Sequence, residues 1–477
     1  MIFDNVVRKI HWIALFCAMW MLFFQGVAQD RMSLTLEESI QYALSNNKEV
    51  QNARFDEYIA QARVKEIIAN GYPQISATAD LQYFVELPTQ ILPGFFNPKV
   101  DPTTGQPVID PVTGEPVPGD PLEVQFGFPW QSNAGVQVNQ LIADGVFFLG
   151  LKAAKTYVEI SEVASNRTQE QTALQVSKAY YQALIAKEQL SILDANLARI
   201  QRLFDETKAL NQEGFVEKID VDRLQINLTN LEVEREKVVR FVAMGKNLLK
   251  FQMGLPIATD IELTEAVEDH SSPPSLIADF STFNLENRVE YRLLQSQKKL
   301  EGYNIQRIKA GRYPSLYAFG SYQYNAQRDD FSFFDSNQKW FPISVVGLQL
   351  NVPIFSGFRL NAQHQQSQIA LKKLDNQAEL LQNSIYLELS NSQSNLQNAY
   401  ESLARFQDNI ELAQKVFSVT QIKYKEGVGS SIEVNEAENQ LKEAESHYLN
   451  GLFEYLMAQL DWQKAQGQFS KYHVETE

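Results

Sequence analysis

Few residues in this chain have the types and spacings that do chemistry. The five histidines, His11, His270, His364, His447 and His473, are scattered with no HxxxH pair, and Cys17 is the only cysteine. No compact N/S ligand set can be built from them, so no metal is expected. No nucleophile–base arrangement and no glycine-rich phosphate loop occurs either. These residues point to a protein that is not an enzyme and holds no cofactor.

What does recur is an acid-bearing turn. Asn211 to Glu232 reads "NQEGFVEKIDVDRLQINLTNLE", and Lys423 to Glu445 reads "KYKEGVGSSIEVNEAENQLKEAE". In each, a long polar helix pattern stops at Glu-Gly, and an Ile-acid-Val step opens another helix. Gly214 and Gly427 suit the left-handed residue that ends a helix. Ser430 and Glu433 spell an S-x-x-E capping box, and Asp220 favours the positive end of a helix. Glu433 and Glu436, three residues apart, share one face of a helix start. Helix capping is one account of Gly214, Gly427, Ser430, Glu433 and Asp220, and a functional role at the turns is the other.

The whole chain bounds what such turns serve. It has 477 residues, 44% hydrophobic and 21% charged, with a formal net charge of −16 and pI near 5.0. That balance argues against a nucleic-acid partner, which needs phosphate neutralisation. Arg8 and Lys9 precede the apolar run Ile13 to Phe24 and the small residues Gly26 and Ala28. This order predicts a signal peptide over 1–28, since the run is short for a membrane span. Cys17 lies inside the run after Phe16, so no lipoprotein signal is expected. The mature chain is then cysteine-free and relies on packing.

An internal duplication organises the rest. "ANGYPQISATADLQY" (Ala69 to Tyr83) matches "AGRYPSLYAFGSYQY" (Ala310 to Tyr324), and "AGVQVNQLIADG" (Ala134 to Gly145) matches "VGLQLNVPIFSG" (Val346 to Gly357). The Glu-Gly turns form a third match, and Gly254 with Gly467 a fourth. Repeat 1 is expected over 29–260, a linker over 261–284, repeat 2 over 285–469 and a tail over 470–477. Each repeat reads short helix, strand, loop, strand, very long helix, turn, return helix. Period-two alternation predicts strands at about 73–87, 130–142, 313–325 and 341–353, although Tyr317 and Phe319 fall on the polar side of theirs.

Ten of the 17 prolines lie between Pro88 and Pro129, among them the tandem nonamers "VDPTTGQPV" and "IDPVTGEPV". Helix is ruled out there, and a solvated loop or a partner-docking segment both fit. Beyond each strand pair the breakers vanish, and heptads appear: Ala183, Ala186, Leu190, Leu193, Leu197, Ile200 and Phe204, then Leu396, Ala399, Leu403, Phe406, Ile410, Ala413 and Phe417. Such runs imply coiled-coil rods of roughly 100 Å. The turns are expected at about 212–219 and 425–432, with half-length return helices that the short N-terminal helices could extend end to end.

Four strands cannot close a barrel, which takes about eight. Alternation with a polar second face suits an outer-membrane wall closed by strands from several chains. Clustered Tyr72, Tyr313, Tyr317, Tyr322, Tyr324, Trp130, Trp340 and Phe341 suit an interfacial girdle or plain packing. With the signal, the duplicated plan and "YKEGVGSSIEVNEAE", the chain resembles the TolC family of outer-membrane efflux and secretion channels over about Leu34 to Phe469.

The resemblance implies an α+β membrane protein: a homotrimer with a 12-stranded outer-membrane β-barrel, four strands per chain, continued by a long periplasmic α-helical coiled-coil barrel. The internal two-fold repeat then gives each chain two hairpin tips at the periplasmic end. Glu433 and Glu436 match a paired-acid position facing the pore, where a ring of carboxylates would favour cations. Asp220 and Tyr424 match residues of the family's closing link. Its arginine position holds Gly429, leaving Lys218 as the candidate cation. Gly214, Phe215, Gly427 and Val428 match the tip segments on which a periplasmic adaptor (membrane fusion) protein docks. An inner-membrane transporter and outer-membrane lipid complete the implied partners. The implied function is a passive exit duct of a tripartite efflux or type I secretion system. A periplasmic coiled-coil adaptor is the competing reading, disfavoured because adaptors carry one hairpin and this chain has two.

Overall fold

The computed structural model describes residues 32–266 and 283–473. The expected signal peptide lies outside them, as do 267–282 of the expected linker and 474–477 of the expected tail. In order the elements are β1 (Met32–Leu34), α1 (Leu36–Asn46), α2 (Lys48–Ala69), β2 (Gln74–Tyr83), β3 (Thr89–Leu92), β4 (Leu122–Gln125), β5 (Trp130–Ala143) and α3 (Gly145–Gln212). There follow α4 (Lys218–Met253), β6 (Ile261–Leu263), α5 (Val289–Ala310), β7 (Ser315–Arg328), β8 (Phe341–Asn351), α6 (Arg359–Lys425) and α7 (Ser431–Ala465). Two compact units result: a sheet unit of 61–156 and 299–371, and a helical unit built from the remaining residues. Among the described residues no helix is long and apolar enough to cross a membrane.

In the sheet unit the strands are antiparallel in the order β2-β5-β7-β8, leaving β2 and β8 as edges. Successive side chains point to opposite faces, so the register sorts them. One face carries Ile75, Ala77, Ala79 and Leu81 of β2, Val136 and Val138 of β5, and Val346, Leu348 and Leu350 of β8. The other carries Gln74, Ser76, Thr78 and Asp80, then Asn133, Gln137 and Asn139, then Gln349 and Asn351. No protein covers the apolar face within the chain: Val346 is 87% and Leu348 71% exposed. The misplaced Phe319 finds its reason across the ladder. It pairs with Gly347, where a Cβ would come within 2.6 Å of the phenyl ring. The absent side chain is the space the ring occupies.

The proline-rich segment is more ordered than a plain solvated loop. β3 and β4 pair antiparallel, and one 3-10 turn covers Gly94–Phe96. Each nonamer makes the same turn. Gly105 and Gly114 are left-handed, with φ of 66° and 70°, and donate to the carbonyls of Asp101 and Asp110. Lys99, Val108 and Val117, nine apart, close a backbone ring: Val108 donates to Lys99, Val117 to Val108, and Lys99 to Val117, at 2.8–2.9 Å.

In the helical unit α3 and α6 run 68 and 67 residues. All fourteen heptad positions named above are buried or half-buried, as knobs-into-holes packing requires. The main core joins Ile40 and Leu44 of α1, Tyr180 of α3, Leu249 and Met253 of α4 and Leu456 and Trp462 of α7. Beside it β1 and β6 pair in parallel, so the expected linker opens with a strand. The short N-terminal helix expected of the first repeat is two helices, Leu36–Asn46 and Lys48–Ala69. Asn47 adopts an extended ψ of 133°, its Oδ1 accepts from Glu49 N at 2.7 Å, and its Nδ2 donates to Gln252 O at 2.7 Å. The break lets α1 meet the end of α4, where left-handed Gly254 approaches Asn46 and Asn47 so closely that a Cβ would sit 3.0 Å from them.

Gly245 of α4 lies against Ala183 of α3, with room for a Cβ only at 3.1 Å from the Ala183 Cα. Gly245→Leu should therefore overpack this crossing and cost about 1–3 kcal/mol. Gly302→Ala, in open space on α5, should gain up to about 1 kcal/mol. Thermal unfolding followed by circular dichroism checks both signs.

Candidate functional site

The two turns between long and return helices are built alike. Gly214 and Gly427 are left-handed, with φ of 80° and 74° and open space where a Cβ would go. At the first turn Phe215 N donates to Leu210 O at 2.9 Å and Gly214 N to Asn211 O at 3.0 Å. At the second, Val428 N donates to Lys423 O at 3.0 Å and Gly427 N to Tyr424 O at 3.1 Å. Both are Schellman closures, which satisfy the last carbonyls of α3 and α6. Phe215 and Val428 are each 77% exposed. Ile219 and Ile432, one turn further on, are exposed as well. Those isoleucines are the first residues of the repeated Ile-acid-Val step, the signal that could have added them to the tip surface.

The return helices start differently. Ser430 caps α7 by accepting from Glu433 N at 3.3 Å, but only this arm of the expected capping box forms. Glu433 and Glu436 are both exposed, while Val434, Ala437 and Leu441 turn inward onto Leu203, Phe204, Leu224 and Phe417. The two glutamates thus share the outward face of α7, with carboxylates free of that core.

Asp220 and Tyr424 are brought to the same place, and Lys218 is not. Ser431 donates from Oγ to Asp220 Oδ1, tying the start of α7 to the start of α4. The cation beside Asp220 is Arg223, at 3.7 Å and three residues along the same helix. Lys218 is exposed at the first position of α4. The D-x-x-R spacing was readable as an i,i+3 pair. Burial raises the pKa of the Tyr424 hydroxyl, Thr207 pulls it back, and the Asp220 carboxylate adds to the rise. At Gly429 a Cβ would lie 3.1 Å from Tyr424 N and 3.2 Å from the Lys423 carbonyl carbon. Any side chain here would press on the closing turn.

Further pairs continue between α4 and α7: Asn227 with Asn435 and Glu234 with Lys442. On α4 these positions, with Asp220, are seven apart. From α3, Arg199 reaches Glu438 at 3.5 Å and Glu445 at 3.8 Å, and stacks over Phe417. Glu438 is buried, and burial raises its carboxyl above the ordinary carboxylate range, with Arg199 opposing and Glu445 assisting. None of these cross-helix pairs is visible as a local motif.

Residues 285–468 match the family described as outer membrane efflux protein. The outer membrane protein TolC of Vibrio cholerae is 20% identical over 346 residues, 72% of this chain and 78% of that protein. The probable efflux pump outer membrane protein TtgC of Pseudomonas putida is 22% identical over 451 residues, 93% and 85% of the two chains. Among solved structures, CusC superposes with a TM-score of 0.70 at 15% identity over 93% of this chain and 95% of that one. VceC of Vibrio cholerae gives 0.67 at 14% identity, over 91% and 96%. The fold is that of the TolC-like outer-membrane channels. Over most of its length the chain is similar to outer-membrane efflux and secretion proteins of this kind.

Two measurements follow from the tip region. In a double-mutant cycle, Asp220→Ala and Ser431→Ala should couple by about 1 kcal/mol in thermal unfolding. Glu438 holds its proton more tightly folded than unfolded, so its contribution to stability falls as pH rises above the ordinary carboxylate range. Melting temperatures of Glu438→Gln should show a flatter pH dependence over that window than the natural chain.

Proposed function

We propose that this chain is the outer-membrane exit duct of a tripartite efflux or type I secretion system, passing substrates from an inner-membrane transporter and periplasmic adaptor to the exterior. The observation that carries it is the four-stranded sheet with one bare apolar face, one polar face and two open edges. In this reading three chains close a 12-stranded barrel, apolar face to lipid and polar face to the lumen, as transmembrane barrels require. The paired long and return helices, arising from an internal two-fold repeat, continue the duct as a periplasmic tunnel. Residues 1–28 serve as the export signal.

The tips are the working end. Exposed Phe215 and Val428, beside the open glycines Gly214 and Gly427, offer an adaptor an apolar docking surface, to which Ile219 and Ile432 contribute. Exposed Glu433 and Glu436 supply the pore's acidic ring. Asp220, Tyr424, Ser431 and Arg223 form the link that holds the two hairpins together, replacing an arginine at Gly429. The duct itself does no catalysis, and its energy comes from the transporter.

Planar-bilayer conductance of the purified protein tests this reading. Cation-preferring channels that lose their preference in Glu433→Gln/Glu436→Gln support both the duct and the acidic ring. Anion-selective channels would sink the ring, and a monomer without channels would return the chain to the adaptor reading.

A further inference from the structure

The two strand-to-helix junctions of the sheet unit differ in chemistry. By the sequence match, Arg312 and Ser356 of the second junction stand where the first has Gly71 and Asp144. A side chain at Gly71 would displace the Phe147 ring, which its Cβ would meet at 2.8 Å. Asp144 is engaged in accepting from Val146 N at 2.7 Å. The first junction therefore offers an acid and no cation.

The second offers a cation among bare apolar groups. The apolar alternation of β8 runs on past its end through Val352 to Ile354, which is 94% exposed. Phe355 and Phe358 follow, also exposed, their rings edge-to-face at 5.4 Å. They are held there by two successive left-handed residues, Gly357 and Phe358, with φ of 60° and 63°. Phe358 is the only non-glycine residue with positive φ among those described. Strain of this kind persists where surrounding structure enforces it and is a pointer to function. The turn spends it on presenting two phenyl rings to the outside. Beside them Arg312, Pro353, Phe355 and Leu360 line a shallow pocket of about 260 Å³. The Arg312 guanidinium is steadied there by donating from Nη2 to Asn361 Oδ1 at 2.7 Å.

We infer that this junction is a phospholipid site. The phosphate of one glycerophospholipid of the inner leaflet binds Arg312, and its acyl chains lie on Ile354, Phe355 and Phe358. The occupant follows from charge and continuity. A guanidinium pairs with phosphate through several parallel N–H donors, and the apolar surface beside it prolongs the sheet face that meets lipid. A water-soluble anion would use the cation and leave the exposed rings unexplained. The site rests on the reading of the sheet as a barrel wall. It adds a fixed lipid to each chain at the second junction and none at the first.

The test is native mass spectrometry of the full protein from detergent, supplemented separately with dioleoylphosphatidylglycerol, dioleoylphosphatidylethanolamine or dioleoylglycerol. Liposome insertion is scored on the same preparations. The natural chain should retain either phospholipid but not the diacylglycerol. Arg312→Gln should lower retention roughly tenfold, Arg312→Lys should restore part of it, and Ile354→Ser/Phe355→Ser should lose it while still inserting. Equal retention by Arg312→Gln, equal retention of diacylglycerol, or full displacement by inorganic phosphate would overturn the site while leaving the duct intact. Failure of the natural chain to insert into liposomes would overturn the barrel reading and the site with it.

Discussion

Hydrocarbon supplies no hydrogen bonds, and a sheet within it can have no open edge. The sheet unit of this chain answers to that. β2 and β8 each leave one side of their backbone unpaired, and the sheet bares Val346 and Leu348 on one face while keeping Gln349 and Asn351 on the other. Water penalises the first face, and lipid penalises both edges. In the proposed duct, further strands meet β2 and β8 and the apolar face finds acyl chains. On that reading the chain supplies a fraction of a closed wall, and copies of itself supply the rest.

The helical unit meets a different constraint. Rods of 68 and 67 residues packed through a repeating heptad of apolar side chains could slide by a heptad with little loss of burial. The polar pairs between α4 and α7 remove that freedom. Asp220 with Ser431, Asn227 with Asn435 and Glu234 with Lys442 are satisfied together in one register only. Buried or half-buried polar groups at seam positions serve this purpose in coiled coils generally, at some cost in stability. The unit thus draws its burial from residues such as Leu203 and Phe417 and its alignment from groups that contribute little burial.

How much of this was readable depends on whether the information is local. Period two and period seven are local, so the alternation along β2 and the heptads of α3 and α6 stand in the sequence. The Glu-Gly turns were also legible, because glycine readily takes the positive φ on which many helices end. The cation beside Asp220 is its i,i+3 neighbour Arg223, a local signal, and not the expected Lys218. Other features were beyond local reading. Phe319 looks misplaced until the ladder sets it opposite Gly347. Asn47 resembles any polar helix residue until Gln252, some two hundred positions away, accepts its amide. The strand β6 has too few residues to show a period at all.

The ring of Lys99, Val108 and Val117 has a consequence for how such a segment can vary. Tandem repeats that stack along an axis can be lengthened freely, since each new copy presents the same unsatisfied end. Here the third position donates back to complete the circuit, and each of the three residues both gives and receives one backbone bond. A further nonamer could join only by opening one of these three bonds. The segment is a closed ring of three, with no end from which to extend.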